Sequence, residues 1–250
     1  MAAGLYIHVP FCRRKCPYCN FYSIAAEPEL LERYTQAVCR NLRHYACAEP
    51  VDTVYFGGGT PSLLSPAQIA QILETAADCF TLSPDTEVTM EANPAAAAPE
   101  QLRRFRESGV NRLSFGVQSL SDSQLKRLGR LHTAQEAVET VCAAAAAGFD
   151  NLSCDLMLAL PGQTPEDIDG FFRQLRDNGM KVARIRMFGA HMYRGGEWDF
   201  SLYDEAFRAA DKYGVRLFAT LFPVTDELND VGGFKFPRSK AHLREIDDYI

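Results

Sequence analysis

Short apolar segments alternate with amphipathic segments along most of the chain, and this alternation limits the fold more than any other feature. The apolar segments have the length of buried β-strands, whereas the amphipathic ones carry apolar residues at helical spacing. Strands that alternate with helices pair in parallel, because each helix returns the chain to the same end of the sheet. With six or more such units, the sequence predicts an α/β fold, a full or partial (β/α) barrel with outer helices.

The apolar and amphipathic patterns also give the approximate bounds of these elements. Strands are predicted at Leu5–Val9, Thr53–Phe56, Glu87–Glu91, Arg112–Val117, Leu152–Leu156, Val182–Phe188 and Arg216–Leu221. Helices are predicted at Leu30–Tyr45, Pro66–Phe80, Glu100–Ser108, Asp122–Leu128, Ala134–Ala147, Pro165–Asn178 and Leu202–Tyr213. Helix-capping residues precede three of the helices, at Ser65, Thr133 and Thr164. In a parallel (β/α) fold, chemistry is expected at the carboxyl ends of the strands.

A CxxxCxxC motif follows the first predicted strand and consists of Cys12, Cys16 and Cys19. Three thiolates can hold a cubane iron–sulfur cluster and leave one iron open to a ligand. The alternative is a structural zinc ion, which needs four ligands, commonly in two paired knuckles. The other five cysteines are scattered singly, so no second pair follows and the cluster is favoured.

A run of three glycines follows the second predicted strand, in the segment from Tyr55 to Pro61. Without side chains, Gly58 and Gly59 allow the backbone to approach a ligand closely, and Thr60 follows them. The spacing differs from that of phosphate-binding glycine loops. It therefore favours a backbone clamp for a small polar ligand, and a tight turn without a ligand is the alternative.

Polar residues occur at or near the ends of the next three predicted strands. These residues are Glu91, Gln118 and Asp155. A carboxylate in an apolar strand is costly to bury without a partner, so each residue either stabilises the barrel or contacts a ligand. Because all three residues occupy equivalent positions on consecutive strands, contact with a ligand is favoured over a purely structural role. Arg130 could pair with a ligand carboxylate, which would complete a pocket suited to an amino-acid-bearing nucleoside such as S-adenosylmethionine (SAM).

Composition excludes several other functions. The formal net charge of −6 provides no basic surface typical of nucleic-acid binding, so no nucleic-acid partner is predicted. No apolar segment approaches the ~18 residues that a membrane span requires, and the first residues do not form a signal peptide. Eight cysteines without an export signal favour a reducing compartment, and the predicted location is the cytoplasm.

Several long motifs resemble the radical SAM superfamily, in particular the oxygen-independent coproporphyrinogen III oxidase group with its haem-chaperone-like branch. The resemblance covers roughly residues 4–175. It rests on YIHVPFC from Tyr6, YFGGGTPS from Tyr55, EANP from Glu91, GVNRLSFGVQS from Gly109, LGRLH from Leu128 and LPGQT from Leu160.

This resemblance implies a [4Fe–4S] cluster on Cys12, Cys16 and Cys19, with SAM on the open iron. By position in the motifs, the implied SAM contacts are Tyr6, Tyr18, Gly58, Gly59, Thr60, Glu91, Gln118, Arg130 and Asp155. The implied chemistry is one-electron reduction of SAM to methionine and a 5′-deoxyadenosyl radical, with an electron donor such as a flavodoxin or ferredoxin. The implied substrate or cargo is a porphyrin or haem, and haem is a further expected ligand.

Two departures favour the haem-chaperone-like branch, whose members are thought to carry and insert haem. Phe21 occupies the place where the oxidase proper carries a further cysteine. The oxidase also has an N-terminal extension, whereas this sequence begins near its first strand. The function expected is therefore that of a radical SAM protein of haem or porphyrin metabolism. A haem-transfer protein without turnover is the alternative, so the sequence leaves open whether the chain is an oxidoreductase.

Residues 176–250 resemble a different family. The segment from Trp198 to Ser201, a helix and the segment from Tyr213 to Phe218 are similar to the early part of a β-galactosidase-type barrel glycoside hydrolase. The sequence also ends within a helical pattern at Ile250. The predicted organisation is a radical SAM core at 1–175 and an additional β-α-β segment at 176–250, foreign or truncated. The alternatives are a divergent natural tail, a sugar-cleaving barrel and a composite without function.

Overall fold

The computed structural model of the chain describes residues 2–19, 21–160, 162–188, 192–194 and 197–222. The longer strands are β1 Ala3–Val9, β2 Pro50–Gly58, β3 Thr81–Ala92, β4 Arg112–Gln118, β5 Asn151–Leu156, β6 Val182–Phe188 and β7 Arg216–Phe222. The helices are α1 Pro28–His44, α2 Pro66–Cys79, α3 Pro99–Glu107, α4 Asp122–Arg127, α5 Ala134–Ala146, α6 Pro165–Asp177 and α7 Ser201–Tyr213. Every predicted strand and helix is thereby confirmed, with ends that shift by a few residues.

The polypeptide divides into two compact units, the first ending at Leu152 and the second beginning at Ser153. In the first unit, β1 pairs with β2, β2 with β3, and β3 with β4, all in parallel. In the second unit, β6 pairs in parallel with both β5 and β7. The boundary predicted at residue 175 lies inside the second unit, at the last turns of α6, and stays a prediction.

Buried residues follow the patterns expected for a parallel sheet covered by helices. In β4, Leu113, Ser114, Phe115 and Val117 are all buried, a nearly continuous run typical of strands covered on both faces. In α2, Ile69, Ile72 and Ala76 recur at helical spacing and are fully buried. The polar groups at the strand ends are therefore held by a rigid apolar frame.

All three predicted capping residues accept a hydrogen bond from the backbone of the first helical turn. The Ser65 side chain accepts from the amide of Gln68, Thr133 from Glu136, and Thr164 from Asp167. In each case the third residue's side chain returns a bond to the cap's own amide, which completes a capping box. These caps fix where α2, α5 and α6 begin.

The segment predicted as an additional β-α-β unit has that local structure. Strand β6 is followed by helix α7 and by β7, and β7 pairs with β6 from Val182 to Phe188. The predicted helical pattern that ends at Ile250 lies outside the described residues. The proposed foreign origin of residues 176–250 stays a prediction. None of the described helices combines the length and apolar composition of a membrane span.

Candidate functional site

The three cysteines of the CxxxCxxC motif lie on a loop that begins just after β1. A two-residue strand at Phe11–Cys12 pairs in parallel with Ile24–Ala25, and the Ile24 amide donates to the Pro10 carbonyl at 2.8 Å. Within the loop, the Cys19 amide donates to the Cys16 carbonyl at 3.1 Å. The hydrogen bonds at its base close the loop and keep the cysteines at the carboxyl end of β1.

The three thiols are partly buried and free. Among the described residues, no three cysteine, histidine or acidic side chains converge closely enough to bind one metal ion. A single zinc ion would need its thiolates within about 4 Å of one another, given its short zinc–sulfur bonds. A cubane cluster takes each thiolate on a different iron and so accepts a wider spacing. Three cysteine thiols on one loop are the donor set that a cubane cluster takes when one iron is left open.

The glycine loop after β2 packs directly against the start of the cysteine loop. The Gly59 amide donates to the Val9 carbonyl at 2.8 Å, and the Thr60 amide donates to the Phe11 carbonyl at 2.7 Å. A Cβ atom at Gly59 would lie 2.5 Å from the Phe11 carbonyl oxygen. The Thr60 hydroxyl also lies 3.6 Å from the Cys12 sulfur, so it can donate a hydrogen bond to the thiolate. The loop thus positions Cys12.

Glu91 joins the end of β3 to the glycine loop. Its carboxylate accepts one hydrogen bond from the Tyr55 hydroxyl at 2.8 Å and one from the Gly58 amide at 3.2 Å. Gly58 has a φ of +111°, and a Cβ there would meet the His8 ring at 2.6 Å. Glu91 therefore holds the glycine loop in a conformation that only glycine adopts readily.

Tyr6 and His8 lie beside this loop on β1. The Tyr6 hydroxyl and His8 Nδ1 are 3.0 Å apart, and the Tyr6 side chain remains 59% exposed. Partial burial, followed by the charge of Glu91, raises the pKa of Tyr6 above its usual value. Tyr6 is therefore a neutral hydrogen-bonding group at the open side of the site.

Arg130 connects the cysteine loop to the end of β4. Its Nη2 donates to the Gly116 carbonyl at 2.5 Å, while Nη1 lies 3.7 Å from the Cys16 sulfur and 3.4 Å from the Tyr18 hydroxyl. Its Nε is buried and has no hydrogen-bond partner among the described residues. Burial raises the pKa of Tyr18 to about 12 although Arg130 opposes the shift, so Tyr18 stays protonated. One guanidinium thus joins two residues of the cysteine loop to the backbone of β4.

Gln118, also predicted as a site residue, ends β4 with a φ of +67°. This left-handed conformation is uncommon for a residue other than glycine and costs energy unless the surroundings enforce it. A Cβ at Gly116 would lie 3.1 Å from the Gln118 amide nitrogen and 3.3 Å from Arg130 Nη2. Gly116 therefore leaves room for both side chains, and the structure brings Gln118 and Arg130 together.

Asp155, predicted as a further ligand contact, has a partner of its own in the second unit. Its carboxylate accepts two hydrogen bonds from the Arg184 guanidinium, at 2.8 and 2.5 Å. Both side chains are about four-fifths buried, with exposed fractions of 18% and 23%. Arg184 is not predictable from the sequence as a site residue, since an arginine in a strand has no local signal of pairing. The ligand role of Asp155 stays a prediction.

A model of the radical SAM superfamily matches residues 6–175. The chain belongs to the radical SAM superfamily. Membership implies a [4Fe–4S] cluster and SAM as cofactors of the fold, as the motifs predict. The three cysteines, the glycine loop and the strand-end residues Glu91 and Gln118 all lie within the matched range.

Relatives of known name match about two thirds of the chain. The haem chaperone HemW of Escherichia coli is 42% identical over 175 residues, which are 68% of this chain and 46% of that protein. The mitochondrial radical S-adenosyl methionine domain-containing protein 1 of Bos taurus is 41% identical over 177 residues, which are 70% of this chain and 39% of that protein. The chain thus spans less than half the length of these relatives.

A solved structure has the same fold over nearly the whole chain. Coproporphyrinogen III oxidase (HemN) from Escherichia coli matches with a TM-score of 0.68 and 23% identity, over 98% of this chain and 50% of that one. The predicted fold class, a partial (β/α) barrel of the radical SAM type, is confirmed. The likeness extends beyond residue 175, where the superfamily model ends.

Histidine is a common haem ligand, and the chain contains His8, His132 and His191 among its five histidines. His191 lies outside the described residues. His8 forms a hydrogen bond with the Tyr6 hydroxyl. His132 is only 3% exposed, and its Nε2 lies 3.2 Å from the Val117 carbonyl oxygen. The Nδ1 atom of His132 has no hydrogen-bond partner among the described residues. Burial, assisted by Arg130, lowers the pKa of His132 to about 4. His132 is therefore a neutral, buried group beneath the site.

This lowered pKa predicts a pH dependence of stability. In the unfolded chain His132 takes up a proton near pH 6.5, whereas in the folded chain it does so near pH 4. The stability that the neutral His132 contributes is therefore fully present above pH 6.5 and is lost as the pH falls to about 4. The loss is at most about 3 kcal/mol, since solvent screening reduces it. Urea unfolding of the metal-free protein between pH 7 and 4 measures it. His132→Gln should have a flatter profile, and an unchanged slope would contradict the assignment.

Proposed function

We propose that the chain is a radical SAM core that binds a [4Fe–4S] cluster through Cys12, Cys16 and Cys19 and acts in haem or porphyrin metabolism. One observation carries the proposal: a closed loop with three free thiols lies against both the glycine loop and Arg130. The predicted ligand residues Glu91 and Gln118 end neighbouring strands of the same unit. Support also comes from the superfamily match over residues 6–175.

The cluster, when bound, supplies the electron that cleaves SAM reductively. Thr60 and Arg130 would donate hydrogen bonds to the sulfur atoms of Cys12 and Cys16, which favours their thiolate forms. Arg130 and Gln118 would orient the SAM carboxylate and ribose at the end of β4, while Glu91 keeps the glycine loop in place. The contacts of Tyr6, Tyr18, Gly58, Gly59 and Asp155 with SAM belong to the same proposal.

Arg130→Lys tests the role of the guanidinium. A lysine cannot contact Gly116, Cys16 and Tyr18 together, because its ammonium lacks the planar fork of donors. We expect the cluster to be retained and the dissociation constant for SAM to rise about 10- to 100-fold, as for other groups that orient metal-site ligands. Equilibrium dialysis with labelled SAM measures this. Arg127→Lys, an exposed substitution in the same segment, is the control. Equal affinities in the two variants would contradict the role.

We place the chain in the haem-chaperone-like branch. The relatives of 36–44% identity include several named heme chaperone HemW, whereas coproporphyrinogen III oxidase is a structural match at 23%. Phe21 in place of a further cysteine agrees with this choice. The proposed cargo is haem or a porphyrin, the proposed electron donor is a flavodoxin or ferredoxin, and the proposed location is a reducing compartment such as the cytoplasm. All eight cysteines are free in the structure.

Anaerobic reconstitution with iron and sulfide, followed by assays for haem binding and for 5′-deoxyadenosine production, tests the proposal. A cluster with stoichiometric haem binding and no conversion of coproporphyrinogen III is the expected result. Conversion of the porphyrinogen would assign the chain to the oxidase instead. Failure of the intact chain to take up iron would overturn the radical SAM proposal altogether.

A further inference from the structure

A run of three basic residues lies between two of the cluster cysteines. Arg13, Arg14 and Lys15 are all exposed, although the chain as a whole carries a net charge of −6. Arg13 donates from Nη1 to the Ala95 carbonyl at 3.3 Å, which fixes this side of the loop against the segment that follows β3. The sign of the surface is therefore reversed locally, next to the cluster cysteines.

A second basic segment comes directly before residues that contact the cysteine loop. Lys126 and Arg127 form the exposed last turn of α4. This turn leads directly into Gly129, where a Cβ would lie 3.1 Å from the Pro17 ring, and into Arg130, which contacts Cys16. One basic segment is thus part of the cysteine loop, and the other is attached to the loop through Gly129 and Arg130. We call the five residues of these segments the basic collar: Arg13, Arg14, Lys15, Lys126 and Arg127.

Two exposed apolar side chains lie close in sequence to the basic collar. Leu131, immediately after Arg130, is 49% exposed, and Phe21, directly after the cysteine loop, is 45% exposed. Exposed apolar side chains together with charged ones are the usual composition of a protein–protein interface. Nucleic-acid recognition by such a surface is less favoured, because the remaining charge of the chain is negative and repels phosphates.

We infer that the basic collar is the docking surface for an acidic one-electron carrier protein. The inference rests on the proposed function, since a cluster that reduces SAM must itself receive an electron. In that step the carrier loses one electron and the cluster gains it, and no bond is formed or broken. Charges of opposite sign around the contact would raise the association rate and hold the carrier's redox group near the cysteine loop.

The test compares two double charge reversals. In Lys15→Glu/Lys126→Glu, both segments of the basic collar change sign. The control Arg40→Glu/Arg43→Glu reverses the same number of exposed cations on α1. The last turn of α1 lies near the start of β2, at the end of the first unit opposite the cysteine loop. Lys126 and Arg43 each lie in the last turn of a helix, so both pairs lose a favourable interaction with a helix dipole.

Stopped-flow absorbance measures reduction of the reconstituted cluster by flavodoxin hydroquinone at 20 mM salt. We expect the basic-collar variant to lower the second-order rate constant about 10- to 100-fold and to lose most of the salt dependence, with little change in the control. The extent of reduction by excess dithionite should stay the same in all proteins. Equal rates in the two variants, or an equal loss in both, would overturn the inference.

Thermophoresis measures the binding of oxidised flavodoxin to the intact chain. It gives a second readout that needs no cluster. Weaker binding by the basic-collar variant alone supports the docking surface even where no cluster forms, so failure of the proposed function remains distinguishable. Tighter binding of a single-stranded RNA oligonucleotide than of flavodoxin, lost in the same variant, would assign the surface to nucleic acid and overturn the inference.

Discussion

Replacing Cys16 by alanine is expected to abolish the iron–sulfur cluster. The residue lies in the middle of the cysteine loop and its sulfur is the one that Arg130 contacts, at 3.7 Å. Without it, one iron would lose its protein ligand and the Arg130 guanidinium would lose a thiolate partner. Iron and sulfide content should fall to background. Production of 5′-deoxyadenosine should drop by more than about 100-fold, because losing a metal ligand costs more than losing a residue that only hydrogen-bonds to a ligand.

Cys47→Ala is the matched control for this experiment. Cys47 is exposed and lies after α1, away from the CxxxCxxC motif. Iron content, sulfide content and the visible absorbance of the cluster should match those of the unmodified chain. A cluster that survives Cys16→Ala, or one that disappears in both variants, would contradict the assignment of the three cysteines.

Replacing Gly59 by alanine is expected to have the second large effect, through packing alone. The new Cβ would lie 2.5 Å from the Phe11 carbonyl oxygen and 2.9 Å from both the Phe11 amide nitrogen and the Val9 carbonyl oxygen. All three are backbone atoms, so no side-chain rotation relieves the overlap. The glycine loop must move away, which breaks the hydrogen bonds from the Gly59 and Thr60 amides. We expect a loss of about 3 kcal/mol in stability.

Because the same displacement carries Thr60 away from Cys12, Gly59→Ala should also weaken cluster retention. Urea unfolding of the metal-free protein and the rate of iron release to a chelator measure the two effects. Gly170→Ala, in the middle of α6, is the control, since its Cβ would meet nothing within 4 Å. That substitution should stabilise the chain by about 0.5–1 kcal/mol. Similar behaviour of the two variants would contradict the packing argument.

Local features of the sequence were sufficient to predict the strands, the helices and the cysteine loop. Helices and strands differ in the period of their buried residues, and the serine and threonine caps satisfy amides only three residues away. The proposed cluster ligands are likewise contained in one short motif. Residue types at strand ends could also be assigned to the predicted pocket, because parallel strands present their carboxyl ends at the same edge.

Contacts across long stretches of sequence required the tertiary structure. Arg130 and Cys16 are 114 residues apart in the chain, and Asp155 and Arg184 are 29 apart, with no motif that connects either pair. From the sequence, the glycine loop is predicted to be a backbone clamp for a ligand, with a tight turn as the alternative. The structure adds a further role, since Gly59 allows two backbone segments to touch.

The sequence by itself determined the fold class and the element order of this protein, and it contained the three proposed cluster cysteines in one motif, because periodicity, caps and short motifs act over a few residues. The tertiary structure decided which polar group contacts which. It placed Arg130 on Cys16, Glu91 on the glycine loop and Gly129, which follows the basic turn of α4, against Pro17 of the cysteine loop. These contacts depend on how complete strands and helices pack, and packing is a property of the whole unit rather than of any segment.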